Sequence, residues 1–220
     1  MSGVVEQPHP LTSLLLGAAF VLVLLGLTVL PFLTPAWFAV AQERAGVAAL
    51  TGWPAAEVRR VTDRLLADVV LGPPRFDVAV DGAPVLAERE RSHLRDVRSV
   101  LLRFGGAVLV ALGVVAVEKR RLPSAAFWAV AERTGLLLAG VVLGVGALAL
   151  VAFDPLFEFF HRLFFAPGTY TFDPGRERLV QLFPMGLWFE TALAAGVLVA
   201  GLGLALAGLA RWRQRSGSRS

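Results

Sequence analysis

TGLLLAGVVLGVGALALVAF, residues 134–153, runs without a single charged side chain. A helix rises about 1.5 Å per residue, so the stretch matches a hydrocarbon core about 30 Å thick. Three other stretches meet the same test: Leu11 to Leu33, Val97 to Val117 with Arg98 and Arg103 inside it, and Trp188 to Ala210 with Glu190 inside it. Hydrophobic residues make up 56% of the 220-residue chain and charged ones 17%. The charges gather in blocks between the apolar runs. This is the pattern of a polytopic membrane protein and excludes a soluble domain. The first run has no basic lead-in and no small-residue cleavage site, and reads as a retained span. Cysteine is absent, which excludes disulfides, thiolate metal sites and a cysteine nucleophile.

Basic residues set the expected orientation. Lys119, Arg120, Arg121 and Arg133 lie between the second and third runs, and Arg211, Arg213, Arg215 and Arg219 follow the fourth. Both segments are expected on the cytoplasmic side. The basic tail reads as a topology anchor, so no nucleic-acid partner is expected. The chain then divides into a cytoplasmic N-terminus and first span (1–33), an extracytoplasmic cap (34–96), the second and third spans with their link (97–153), an aromatic outer loop (154–187), and the fourth span with its tail (188–220). Both termini are expected to be cytoplasmic.

Within residues 34–96, PAWFAVAQERAGVAAL reads as a short helix beginning near Ala36. Pro54 opens a second, in which Val58, Val61, Leu65 and Val69 share one face while Arg59, Arg60, Asp63 and Asp68 lie elsewhere. Such an amphipathic helix lies on the membrane or packs within the cap. Asp81-Gly82, between RFDVAV and APVL, is a strong signal for a two-residue hairpin. The expected fold class is therefore an all-α membrane protein: four transmembrane helices with an extracytoplasmic cap of short helices and a small β-hairpin. Gly140 and Gly144 form a GxxxG pattern in the third span, which predicts close helix packing.

The chain has three histidines. His9 precedes the first span and is expected to be solvated. His93 sits in the charged helical lead-in to the second span. His161 sits at the centre of FEFFHRLFF, residues 157–165, about two helical turns past the third span. The two are therefore brought to one depth on one side of the membrane. Each has a plainer reading: His161 as an interfacial ring reaching to water, His93 as a surface helix residue paired with Asp96 or Glu90. Ser92 beside His93 diverges from it around the helix and makes no nucleophile–base dyad. No GxSxG, HExxH or phosphate-binding glycine loop is present. A metal held by His93, His161 and Glu158 or Asp96 lacks a diagnostic spacing, so neither a metal nor a cofactor is expected.

ERSHLRDVR ahead of the second span, together with FFHRLFFAPGTYTFDPGRERLVQLFP ahead of the fourth, resembles the bacterial four-span membrane family that includes the lipoprotein intramolecular transacylases. The likeness covers the whole topology. It implies that His93 and His161 are catalytic and that diacylglyceryl-modified lipoproteins and membrane lipid are the partners. It also implies the reaction: an acyl chain moves from the sn-2 oxygen of the lipoprotein's diacylglyceryl-cysteine to the free amine of that cysteine, in the bacterial cytoplasmic membrane with the site facing outward. Such a reaction needs no enzyme nucleophile, because the substrate carries both amine and ester, and holding reactants together is worth about 10⁵ M or more in effective concentration. The enzyme supplies a base, donors to a tetrahedral oxyanion and a water-poor niche. His161 is expected to be the base and His93 its partner, with the reverse assignment also open.

Glu158, one turn before His161, is expected either to orient its ring or to face headgroups. Arg162, Phe160, Phe164, Tyr170, Phe172 and Trp188 are expected to line an acyl or glyceryl pocket. Arg103 and Glu190 are expected to form a structural ion pair, since lone charges at that depth are costly. Two competing readings are a non-enzymatic scaffold or accessory protein whose cap binds an envelope partner, and a metal-dependent membrane hydrolase.

Overall fold

The computed structural model describes residues 9–217. Arg219 of the basic tail and the first eight residues lie outside the described residues. The elements are α1 (Pro10–Phe32), α2 (Pro35–Arg44), α3 (Val47–Thr51), α4 (Ala55–Val70), β1 (Ala79–Val80), β2 (Ala83–Pro84), α5 (Glu88–Arg121), α6 (Ser124–Phe164), α7 (Arg178–Leu182) and α8 (Met185–Gly217). Four of the described helices, α1, α5, α6 and α8, are long and apolar enough to cross a membrane. α5, α6 and α8 run well past the apolar boundaries read from sequence, because flanking residues continue each helix beyond the hydrocarbon-length core, whereas α1 differs from its expected bounds by one residue at each end.

The chain forms two compact units. One comprises residues up to Val29, Phe104–Leu148 and Ala195 onward. Leu16, Phe20, Phe127, Val130, Ala131 and Ala210 make its largest buried cluster. Two of its helices approach closely at Gly135 and Gly203: a Cβ on Gly135 would lie 2.3 Å from the carbonyl oxygen of Gly203, so only glycine lets the backbones meet. The expected GxxxG packing is thus corrected. Gly140 and Gly144 face open space, and the contact falls on a glycine pair from two different helices. Glu132 accepts hydrogen bonds from Arg211 Nε (2.6 Å) and Gln214 Nε2 (3.0 Å), tying α6 to α8.

The other unit comprises Leu30–Arg103 and Ala149–Ala194. Thr34 caps α2, whose first turn opens with Pro35. The helix expected to begin near Ala36 starts at Pro35, and the stretch is divided into α2 and α3 at Gly46, which takes a left-handed φ of 66°. In α4 the expected face is buried, with Val58, Val61, Leu65 and Val69 packed against Val47, Phe76, Leu86, Leu94, Leu179 and Leu182. The helix therefore packs within the unit. Asp68, expected off this face, is also buried: its carboxylate accepts the Phe76 backbone N–H at 2.8 Å where the chain turns back after α4. Asp81 (φ 50°) and Gly82 (φ 77°) make the hairpin turn, pairing Val80 with Ala83 and Ala79 with Pro84. Positive φ at both central residues is what a two-residue turn between twisted strands demands.

The ion pair expected between Arg103 and Glu190 does not form. Glu190 is held by Arg44 of α2 instead, and Trp37 Nε1 donates to Thr191 Oγ1 at 3.1 Å beside it. Similar depth in a membrane leaves azimuth free, and a charge reached from a short helix can outcompete one on a neighbouring span.

Candidate active site

α6 is interrupted at Ala152, whose φ of −142° and ψ of 42° are not helical. Pro155 follows three residues later; it brings no N–H and restricts the residue before it, which accounts for a break at this point. The helical stretch beyond the break carries Phe153, Phe157 and His161 at four-residue intervals, with Phe165 next in the series. Their rings form a ladder, with centroids 5.7 Å apart from Phe153 to Phe157, 4.1 Å from Phe157 to His161 and 5.5 Å from His161 to Phe165. This is the i, i+4 stripe of one helix face.

His93 meets this ladder from the first turns of α5. Its ring lies 6.2 Å from that of His161, nearly parallel at 22°, with Phe165 at 4.8 Å and Phe172 at 5.5 Å edge-on. His93 is 8% exposed, and its Nδ1 is enclosed with no hydrogen-bond partner among the described residues. The plainer reading of His93 as a surface residue paired with Glu90 does not apply. Glu90 is itself 2% exposed and spends its carboxylate on the backbone N–H groups of Ala87 and Leu179, both at 2.7 Å.

His161 Nδ1 donates to the carbonyl oxygen of Phe157 at 2.8 Å, one turn back on its own helix. That bond, rather than Glu158, orients the ring. Glu158 Oε1 accepts from Arg162 Nε at 2.9 Å and from the Tyr170 hydroxyl at 3.0 Å. Tyr170 in turn lies 5.2 Å from the His161 ring. Removal of water by neighbouring groups, then the bond to Glu158, hold the Tyr170 phenol above its ordinary value, so it stays a proton donor.

The structure thus gathers His93, His161, Tyr170 and Phe172, with Glu158 and Arg162 on the adjoining face. Trp188 stands one ring further out, 6.4 Å from Phe157. Phe160 borders His161 at 5.6 Å and packs on Phe164 at 4.9 Å, and both phenylalanines are exposed. Phe165, which touches both histidines, was missed by sequence reasoning although its spacing from His161 already marked it. Arg89, Glu90 and Glu177, which fasten the loop beside Phe172, carried no such signal. Among the described residues no group of three His, Asp or Glu side chains is placed to hold a metal ion.

Four helices able to span a bilayer, with a histidine pair walled by aromatic rings, define a multi-pass integral membrane protein with a candidate acid–base site. Residues 13–188 match the lipoprotein intramolecular transacylase Lit family, and the chain belongs to it. The fold agrees. The in meso structure of the lipoprotein intramolecular transacylase Lit from Bacillus cereus superposes with a TM-score of 0.76 at 16% identity, covering 96% of this chain and 97% of that one. A form of that protein with a histidine-to-arginine substitution gives 0.71 at 16% identity, over 95% and 93% of the two chains. An uncharacterized protein from Aquifex aeolicus (strain VF5) is 25% identical over 120 residues, 54% of this chain. The match spans about half the length of that relative, 53%.

Proposed function

We propose that this chain is an intramolecular transacylase that moves the sn-2 acyl chain of a diacylglyceryl-cysteine lipoprotein onto the amine of the same cysteine, giving the lyso-form. The observation that carries this reading is the complementary setting of the two imidazoles, 6.2 Å apart between ring centroids. His161 holds its proton on Nδ1, bonded to the Phe157 carbonyl, so its Nε2 presents a lone pair. His93 has its Nδ1 closed off without an acceptor. A buried N–H left unbonded is among the costliest arrangements, so the proton belongs on Nε2, where it serves as a donor.

These states give each ring one task. His161 Nε2 takes the proton that the amine gives up as the N–C bond forms. His93 Nε2–H donates to the acyl carbonyl oxygen as it gains charge. When the bond from the acyl carbon to the sn-2 oxygen breaks, His161 returns the proton to that oxygen. One N–C bond replaces one C–O bond, and no water enters. The surrounding phenylalanines supply the dry niche that this outcome requires. The proposed orientation, with both termini cytoplasmic and this site outside, follows from the basic residues after the second and fourth spans.

The test is mass spectrometry of a lipoprotein N-terminus after co-expression with this chain. The expected product carries one acyl group on nitrogen and one on the glyceryl unit, with total mass unchanged. A lipoprotein whose amine stays free defeats the proposal.

A further inference from the structure

Arg89 and His93 stand four residues apart on α5, so whatever Arg89 grips is laid along the face that carries the imidazole. Arg89 grips the loop between α6 and α7 at three points. One guanidinium nitrogen donates to Glu177 Oε1 at 2.8 Å, another to the Thr171 carbonyl oxygen at 2.6 Å, and the plane of the group lies over the Phe172 ring at 4.7 Å. Phe172 therefore touches both residues of this helix face, its ring face under the Arg89 guanidinium and its centroid 5.5 Å from that of His93. The grip is itself braced. Glu177 Oε2 accepts the Asp173 N–H at 2.6 Å, closing residues 173–177 into a turn, and neighbouring Glu90 holds the Leu179 N–H. Two adjacent residues at the start of α5 thus fasten both ends of the segment 171–179.

We infer that Arg89 is a positioning residue that clamps this segment as a wall against His93, and that the wall decides whether the acyl carbon meets the amine or water. The inference rests on the transacylase reading. Transfer forms an N–C bond and frees the sn-2 hydroxyl. With the wall open, a water oxygen bonds to the same acyl carbon, the bond from that carbon to the sn-2 oxygen breaks, the sn-2 oxygen takes a proton from the water, and the products are a fatty acid and a lipopeptide whose amine is unmodified. Arginine suits the task because its planar fork reaches two acceptors while stacking on a ring; lysine keeps the charge but not the second bond or the stacking.

The experiment uses the full chain in detergent with a synthetic diacylglyceryl lipopeptide in H₂¹⁸O. Hydrolysis puts one ¹⁸O into the released fatty acid, whereas transfer leaves the lipopeptide mass unchanged. In Arg89→Met the ratio of labelled fatty acid to N-acyl product is expected to rise about tenfold, the combined worth of a half-exposed ion pair, a backbone hydrogen bond and a cation–π contact. Arg89→Lys is expected to fall between, and Phe172→Leu, which removes the ring contact but keeps both Arg89 hydrogen bonds to the segment, to raise the ratio as well. Amide exchange across 171–179 is expected to quicken in Arg89→Met. A variant that loses rate with an unchanged ratio overturns the inference and leaves the transacylase reading standing. A wild-type chain that makes no N-acyl product defeats the transacylase reading instead. Unchanged exchange across 171–179 overturns the clamp in either case.

Discussion

Replacing Glu90 separates its structural load from any chemistry. Its two carboxylate oxygens accept the Ala87 N–H, at the start of α5, and the Leu179 N–H, in the first turn of α7, each at 2.7 Å. The first bond is half of a capping box, worth about 1 kcal/mol. The second satisfies a buried donor, and leaving such a donor without an acceptor costs about 1–3 kcal/mol. Glu90→Ala removes both, so unfolding in detergent should become easier by about 2–4 kcal/mol. Glu90→Gln keeps one acceptor oxygen and turns an amide donor toward the other N–H, so it should cost about half as much. The assay pairs chemical unfolding with amide exchange at Leu179, which should quicken about 30-fold or more in Glu90→Ala, since 1.4 kcal/mol is tenfold. If Glu90→Ala unfolds within about 0.5 kcal/mol of the wild type, as an unconstrained surface change does, the reasoning is refuted.

Three further outcomes follow from the same structure. Tyr170 is the chain's one tyrosine, so tyrosinate absorbance reads it alone; its phenol is raised by loss of water and by Glu158. Its titration should lie above that of a free phenol and move back toward it in Glu158→Gln; because the folded value is raised, the contribution to stability is present below the unfolded pKa and is lost as pH rises through the folded one. A Cβ at Gly135 would sit 2.3 Å from the Gly203 carbonyl oxygen, so Gly135→Leu should lower stability by about 3 kcal/mol or more, whereas Gly140→Leu, facing open space, should change it little. Labelled-imidazole ¹⁵N spectra should show His161 with its proton on Nδ1 and His93 with its proton on Nε2, and the reverse pattern would exchange the roles proposed for the two rings.

What the sequence disclosed follows from the range of the forces involved. Long apolar runs and the Asp81-Gly82 turn are local signals with one structural answer, and both appear where expected. The stripe Phe153, Phe157, His161 and Phe165 was written in four-residue spacing, yet its continuity depends on the break at Ala152, which Pro155 announces without placing. Glu158 looked fit to orient His161 because it lies one turn away. The backbone carbonyl of Phe157 takes that part because it stands directly below the ring, leaving Glu158 to Arg162 and Tyr170. Arg103 and Glu190 were matched by depth alone, and the partner came from α2, far off in sequence. Contacts such as Arg89 with Glu177, 88 residues apart, depend on how a loop returns, which no local pattern encodes.

The central claim is that His93 and His161 act together on one acyl group. Purified wild type, His93→Ala and His161→Ala, each shown to be folded in detergent, are presented with a diacylglyceryl lipopeptide, and fragmentation spectra locate the acyl chain. The account predicts N-acylation by the wild type and a loss of at least about a hundredfold in each variant, the usual scale for removing an acid–base group or an oxyanion donor. Transfer by either variant at the wild-type rate would contradict it.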